Sequence, residues 1–135
     1  MTTATQAQRW SLNTSGSKVG SSRALTVALW VVSAATAAMF LMAGYMKLTG
    51  APEMVHTFEA IGAGQWFRYL TGGMEVVSAL ALLIPALALY GALALAATMM
   101  GAVFTHLMVL GGSPVPALAL LVASSFIAWI RWSRR

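Results

Sequence analysis

Three ionisable side chains lie within, or at the ends of, long apolar segments of this chain. Glu75 interrupts the run YLTGGMEVVSALALLIP, Lys47 ends an earlier apolar run, and His106 lies near the end of a later one. A charge at the centre of a bilayer costs roughly 2.5–3.5 kcal/mol on insertion scales, so an ionisable residue there points to function. We predict that Lys47, Glu75 and His106 form one polar intramembrane pocket that binds a ligand or passes protons. The alternative is three separate structural roles.

Other chemistry is limited by the residues that the chain lacks. There is no cysteine, which excludes disulfides, thiolate metal sites and thiol redox catalysis. There is also no aspartate, so no Ser-His-Asp set exists. His56 and His106 lie in different segments and do not make a heme or metal site without further ligands. We therefore predict no metal and no built-in cofactor, with a quinone as the alternative cofactor.

The composition indicates a membrane protein. The 135 residues are 59% hydrophobic and only 8% charged, whereas soluble domains carry about 25% charged residues. The net charge of +5 comes mainly from the two ends of the chain. Such basic ends are typical of contacts with anionic lipid head groups, so the predicted partner is the bilayer and not nucleic acid.

Four apolar segments are long enough to cross a hydrocarbon core of about 30 Å. Because lipid offers no hydrogen bonds to an exposed backbone, these segments should be helices. We predict an all-α integral membrane protein, a bundle of four transmembrane helices, within a domain of residues 23–135. The predicted spans are residues 24–46, 67–84, 88–110 and 115–132.

The distribution of basic residues predicts the orientation. Lys18 and Arg23 precede the first span, and three arginines close the fourth. The positive-inside rule then places both termini in the cytoplasm. Residues 1–22 are rich in Ser, Thr and Gln, and we expect a disordered cytoplasmic tail. In the first outer loop, apolar residues at helical spacing between Pro52 and Ile61 predict a short helix lying on the membrane interface.

Small residues predict where the helices pack. A stripe of small or weakly polar side chains follows the third span at spacings of three and four, and within lipid such residues mark close helix contacts. Gly44 on the first span and Gly72 on the second extend this pattern. The sequence leaves open whether the bundle forms a homo-oligomer. The predicted packing residues are Gly44, Gly72, Gly91, Thr98, Gly101 and Thr105.

Three short motifs resemble the DoxX-like family of small bacterial membrane proteins. They are AGYMKL at residues 43–48, GGME at residues 72–75 and GAVFTH at residues 101–106. The resemblance covers residues 41–132 and implies a four-helix protein of the bacterial cytoplasmic (inner) membrane. The founding members look like membrane subunits of a thiosulfate:quinone oxidoreductase.

Three functions follow as hypotheses. The first is a noncatalytic membrane subunit that anchors a redox enzyme, itself soluble or membrane-bound. The second is a quinone-linked oxidoreductase subunit with Glu75 and His106 as proton carriers. The third is a small proton-coupled transporter or channel.

Overall fold

The structure, a computed structural model, describes the backbone of residues 2–135 and the side chains of residues 20–135. Within those residues it contains helices and no strands, which confirms the predicted all-α class. Residues 1–31 form one compact unit and residues 32–135 form a second, which contains the site described below. In chain order the elements are α1 (Thr2–Thr49), α2 (Pro52–Ile61), α3 (Gln65–Leu82), α4 (Ala88–Thr105), a π-helical turn (His106–Leu110) and α5 (Val115–Ser133).

Helix α1 includes the segment for which the sequence predicts a disordered tail. It begins at Thr2 and runs without interruption to Thr49. The side chains of residues 1–19 lie outside the described residues. The disorder expected for residues 1–22 therefore stays a prediction.

Among the described residues, three helical segments have the length and apolar composition needed to cross a membrane. They are Gly20–Thr49, Ala88–Leu110 and Val115–Ser133. Helix α3 has 18 residues but is not one of these candidates, because Gln65, Arg68 and Glu75 reduce its apolar content. The fourth span, and with it the placement of both termini, stays a prediction.

In residues 32–135, α4 packs against both α3 and α5. The α3–α4 contact is very close: a Cβ atom added at Gly91 would lie 2.6 Å from both Ser78 O and Leu82 N. Only a glycine lets the two backbones approach to this distance. The contact is surrounded by fully buried apolar residues, namely Ala79, Leu82, Ala88, Ala92 and Leu95.

Helices α1 and α3 also cross through glycines. A Cβ atom at Gly44 would lie 2.7 Å from Val76 Cγ2 and 2.9 Å from Gly72 O. A Cβ atom at Gly72 would lie 2.9 Å from Lys47 Cβ. Of the predicted packing residues, Gly44, Gly72 and Gly91 therefore lie at close helix crossings.

The small-residue stripe of α4 does not continue as an internal contact. Gly101 is exposed, and a Cβ atom there would meet nothing within 4 Å. Thr98 and Thr105 donate their hydroxyl hydrogens to carbonyls of their own helix, at Ala94 and Gly101. The described residues thus leave the face of Gly101 open, and the packing role predicted for it stays a prediction.

Helix α2 packs against α3 and the π-helical turn. Pro52 occupies its first turn, where a missing amide donor is tolerated. Gly62 ends it in the left-handed conformation with φ 76°, and its N–H donates to Phe58 O and Glu59 O. The Phe58 ring is 5% exposed and lies edge-on to Phe67 at 5.8 Å. Helix α2 thus packs on α3, and its position at a membrane interface stays a prediction.

Candidate functional site

A charged pair joins the last turns of α1 to the middle of α3. Lys47 Nζ donates a hydrogen bond to Glu75 Oε2 at 2.9 Å. The Glu75 side chain is 2% exposed and that of Lys47 is 14% exposed. A charge buried to this extent needs a partner of opposite sign, and each residue provides it for the other. The structure thus brings together two of the three residues of the predicted pocket.

The glycine crossing determines where this pair lies. Because Gly72 has no side chain, the stem of Lys47 can pass directly over α3. Glu75 follows Gly72 by three residues and therefore occupies the same face, one turn further along. Any side chain at residue 72 would meet Lys47 Cβ. The close approach of the backbones and the ion pair are consequently one structural feature.

Arg68 belongs to the same site and is 4% exposed. Its Nε donates to Gln65 Oε1 at 2.7 Å, and its Nη1 donates to the carbonyl oxygen of Lys47. The guanidinium also lies over the Tyr69 ring, with Cζ 4.3 Å from the centroid. Because the last carbonyls of a helix lack intrahelical donors, Arg68 acts as a cap for the C-terminal end of α1.

Arg68 is not among the residues that the sequence predicted for the site. A signal was nevertheless present. Arg68, Gly72 and Glu75 follow each other at spacings of four and three, which is one helix face. All three are buried in the structure. An arginine that shares a helix face with a packing glycine and a buried acid is expected to be buried as well.

His106 is the predicted pocket residue that the structure does not join to the others. It opens the π-helical turn after α4, and no hydrogen bond or ion pair links it to Lys47 or Glu75 among residues 20–135. Its Nδ1 is enclosed and has no hydrogen-bond partner. π-Helical turns are frequent at functional sites. A shared pocket that includes His106 therefore stays a prediction that would need a bound group to connect the residues.

Metal chemistry finds no ligand set in the described side chains. Residues 20–135 contain no group of three or more His, Cys, Asp or Glu residues that could hold a metal ion. His56 Nδ1 and Glu59 Oε2 are 3.5 Å apart, but both side chains are mostly exposed, as expected for a solvated helix face. The cluster of Lys47, Arg68 and Glu75 is therefore the candidate site.

The candidate site carries a net charge of +1. Lys47 and Glu75 cancel, while Arg68 makes no ion pair with any carboxylate among residues 20–135. The C-terminal end of α1 carries a partial negative charge, but the N-terminal end of α3 carries a partial positive charge of similar size. The first turn of α3 contains no acidic residue that would offset it. The site can thus clamp two helices and also attract an anion.

Comparison with known proteins gives a family and no characterised relative. No curated protein and no solved structure matches the chain. The sequence profile of the DoxX-like family matches residues 31–130, a range that contains the three residues of the site and His106. Given that match and the three helices among residues 20–135 that are long and apolar enough to cross a membrane, the chain is a multi-pass membrane protein that belongs to the DoxX-like family.

Proposed function

We propose that this protein is a noncatalytic membrane subunit that anchors a redox enzyme at the bacterial cytoplasmic membrane. The observation that carries the proposal is that the Lys47–Glu75 ion pair is buried and that its two charges are bonded to each other. Glu75 is 2% exposed and its carboxylate is engaged by Lys47, so the acid has no access to a substrate. A buried pair that joins α1 to α3 in this way acts as a helix clamp.

An exposed face of α4 supports the binding of a partner. Ala97 and Gly101 are both exposed, and the space beside Gly101 is open. Inside a bilayer, small residues permit a second helix to approach closely, and the contact is then stabilised by packing and not by exclusion of water. We assign this face, defined by Ala97 and Gly101, to an apolar helix of the partner that is too short to hold the partner in the membrane without this protein.

The test is the membrane attachment of the partner enzyme. The tagged protein is purified from its own membranes in mild detergent, and a co-purifying dehydrogenase is identified. In a strain that lacks the protein, this dehydrogenase should move from the membrane fraction to the soluble fraction, and wild-type protein should restore it. A dehydrogenase that stays on the membrane in the deletion strain would contradict the anchor function.

A matched pair of variants tests the assigned face. Gly101→Leu fills the open space on α4 and should release the dehydrogenase while the protein stays folded in the membrane. Val122→Leu changes a residue of α5 that is 67% exposed, and it should leave attachment intact. Equal attachment in both variants would exclude this face of α4.

A quinone-linked oxidoreductase subunit is the second candidate, and one observation favours it. The enclosed Nδ1 of His106 lacks a hydrogen-bond partner, and a quinone carbonyl is an acceptor that a protonated Nδ1 could satisfy. In this function Glu75 and His106 carry protons beside the quinone. Solvent extraction of the purified protein should then release a stoichiometric quinone, which His106→Leu should lose. A purified protein without quinone rules this function out.

A further inference from the structure

We propose that Arg68 forms a binding site for a phosphate group at the end of the membrane-crossing part of α1. The relevant group is the phosphate of a phospholipid headgroup or soluble inorganic phosphate, which share the same recognition chemistry. This inference does not depend on the anchoring function.

The first argument is the charge balance of Arg68. A buried arginine is rare unless it is paired, yet Arg68 is 4% exposed and has no carboxylate partner among residues 20–135. The one buried acid nearby, Glu75, is already bonded to Lys47. The partial positive charge at the N-terminal end of α3 offsets the partial negative charge of the α1 carbonyl to which Arg68 donates. The charge of Arg68 is therefore left for an external anion to balance.

The second argument is the direction in which the guanidinium is open. Nε and Nη1 donate to acceptors within the protein, and Tyr69 covers one face. Nη2 makes no hydrogen bond in residues 20–135 and is not among the enclosed unpaired nitrogens, so it is not fully enclosed. Gly50, with φ +74°, lies beside the guanidinium and places no side chain over it. The N–H groups of Nη2 are therefore left without a partner within residues 20–135.

The third argument is the location. Arg68 is bonded to the carbonyl oxygen of Lys47, which is near the end of the candidate span Gly20–Thr49. This 30-residue segment is about 45 Å long, which matches the thickness of a bilayer with its head groups, so its end would lie in the phosphate layer. The neighbouring Trp66 and Tyr69 are 64% and 52% exposed, and such aromatic side chains favour the headgroup region. The planar fork of arginine matches the oxygens of a phosphate.

The test uses the full-length protein in a non-ionic detergent free of phospholipid. Thermal unfolding and binding are measured with a short-chain phosphatidylglycerol and, separately, with inorganic phosphate. Stabilisation by the lipid alone identifies a headgroup site, and stabilisation by both identifies a general phosphate site. If neither ligand binds the wild-type protein, the proposal is wrong.

Two variants and one control show whether Arg68 is the responsible residue. Arg68→Gln should weaken binding by at least about tenfold, because charge-assisted hydrogen bonds to phosphate are lost. Arg68→Lys keeps the charge but not the fork, and it should bind with intermediate affinity, which also covers the case in which Arg68→Gln does not fold. Arg23→Gln removes an exposed arginine near the other end of the Gly20–Thr49 segment and should bind as wild type. Unchanged affinity in both Arg68 variants would overturn the proposal.

Discussion

The two partners of the Lys47–Glu75 pair are not equivalent. Lys47 has a flexible stem and is 14% exposed, whereas Glu75 is 2% exposed. A lysine that loses its partner can turn its ammonium group towards water or head groups. Glu75 has no second donor among residues 20–135. The penalty for breaking the pair should therefore depend on which residue is removed.

A double-mutant cycle tests this asymmetry. Lys47→Met should destabilise the protein more than Glu75→Gln, because only the former leaves the buried carboxylate without a donor. Breaking an exposed pair lowers the free energy of unfolding by about 0–1 kcal/mol, and breaking a fully buried pair lowers it by about 3–5 kcal/mol. We expect the losses here to lie between these two ranges. The double variant should be more stable than Lys47→Met alone. Reversible unfolding in detergent micelles provides the free energies, and additivity within about 0.3–0.5 kcal/mol would show that the residues do not interact.

His106 should behave as a separate site in the absence of a ligand. His106→Leu removes a polar atom that is enclosed without a partner, so the free energy of unfolding should stay constant or rise by up to about 1 kcal/mol. Combined with Glu75→Gln, its effect should be additive within about 0.3–0.5 kcal/mol. A larger coupling energy between His106 and Glu75 in the same unfolding assay would restore the shared pocket predicted from the sequence.

For the helices, the two glycines Gly91 and Gly101 make a matched comparison. Both lie in α4, but only a Cβ atom at Gly91 would collide with backbone atoms of α3. Gly91→Ala should therefore cost about 1–3 kcal/mol, as overpacking of a well-packed contact does. Gly101→Ala should raise stability by about 0.5–1 kcal/mol, because alanine favours a helix more than glycine does. Thermal unfolding of the two variants side by side measures the difference, and equal effects would mean that α3 and α4 do not pack at Gly91.

The sequence predicted the helices better than it predicted their contacts. Apolar runs that end in Pro, Gly or Ser gave the approximate bounds of α3, α4 and α5, since these residues interrupt helices by local backbone effects. Spacing alone could not show that Gly91 contacts α3 while Gly101 remains exposed, because both belong to the same stripe. Arg68 was missed for a related reason. Its spacing from Gly72 indicates the buried face of α3, but the carbonyl of α1 to which it donates cannot be identified from α3 alone.

For the whole molecule, the open question is whether α3 crosses the membrane. Both ends of α3 contact other helices. Near its start, Gln65 Nε2 donates to Val55 O in α2, and near its end Ser78 and Leu82 pack against Gly91 of α4. Helix α4 is itself a candidate span. Because α3 packs against α4 and is joined to α1 through Glu75, it should lie across the same bilayer as these two candidate spans. We therefore expect α3 to be the fourth span, with Gln65, Arg68 and Glu75 facing protein.

Single cysteines in the cysteine-free chain test this arrangement directly. Ala63→Cys and Ala86→Cys flank α3 at exposed positions, and Ser113→Cys and Ser133→Cys flank α5. If α3 spans the membrane, a membrane-impermeant maleimide applied to intact cells should label Ala63→Cys and Ser113→Cys only, because the positive-inside rule places the arginine-rich C-terminus in the cytoplasm. Labelling of all four after permeabilisation is the control for accessibility. Labelling of Ser133→Cys with Ala86→Cys, in place of the other pair, would reverse the orientation but keep four spans. If Ala63→Cys and Ala86→Cys label from the same side, α3 does not cross, and the buried Glu75 then lies in a helix that enters the bilayer from one surface only.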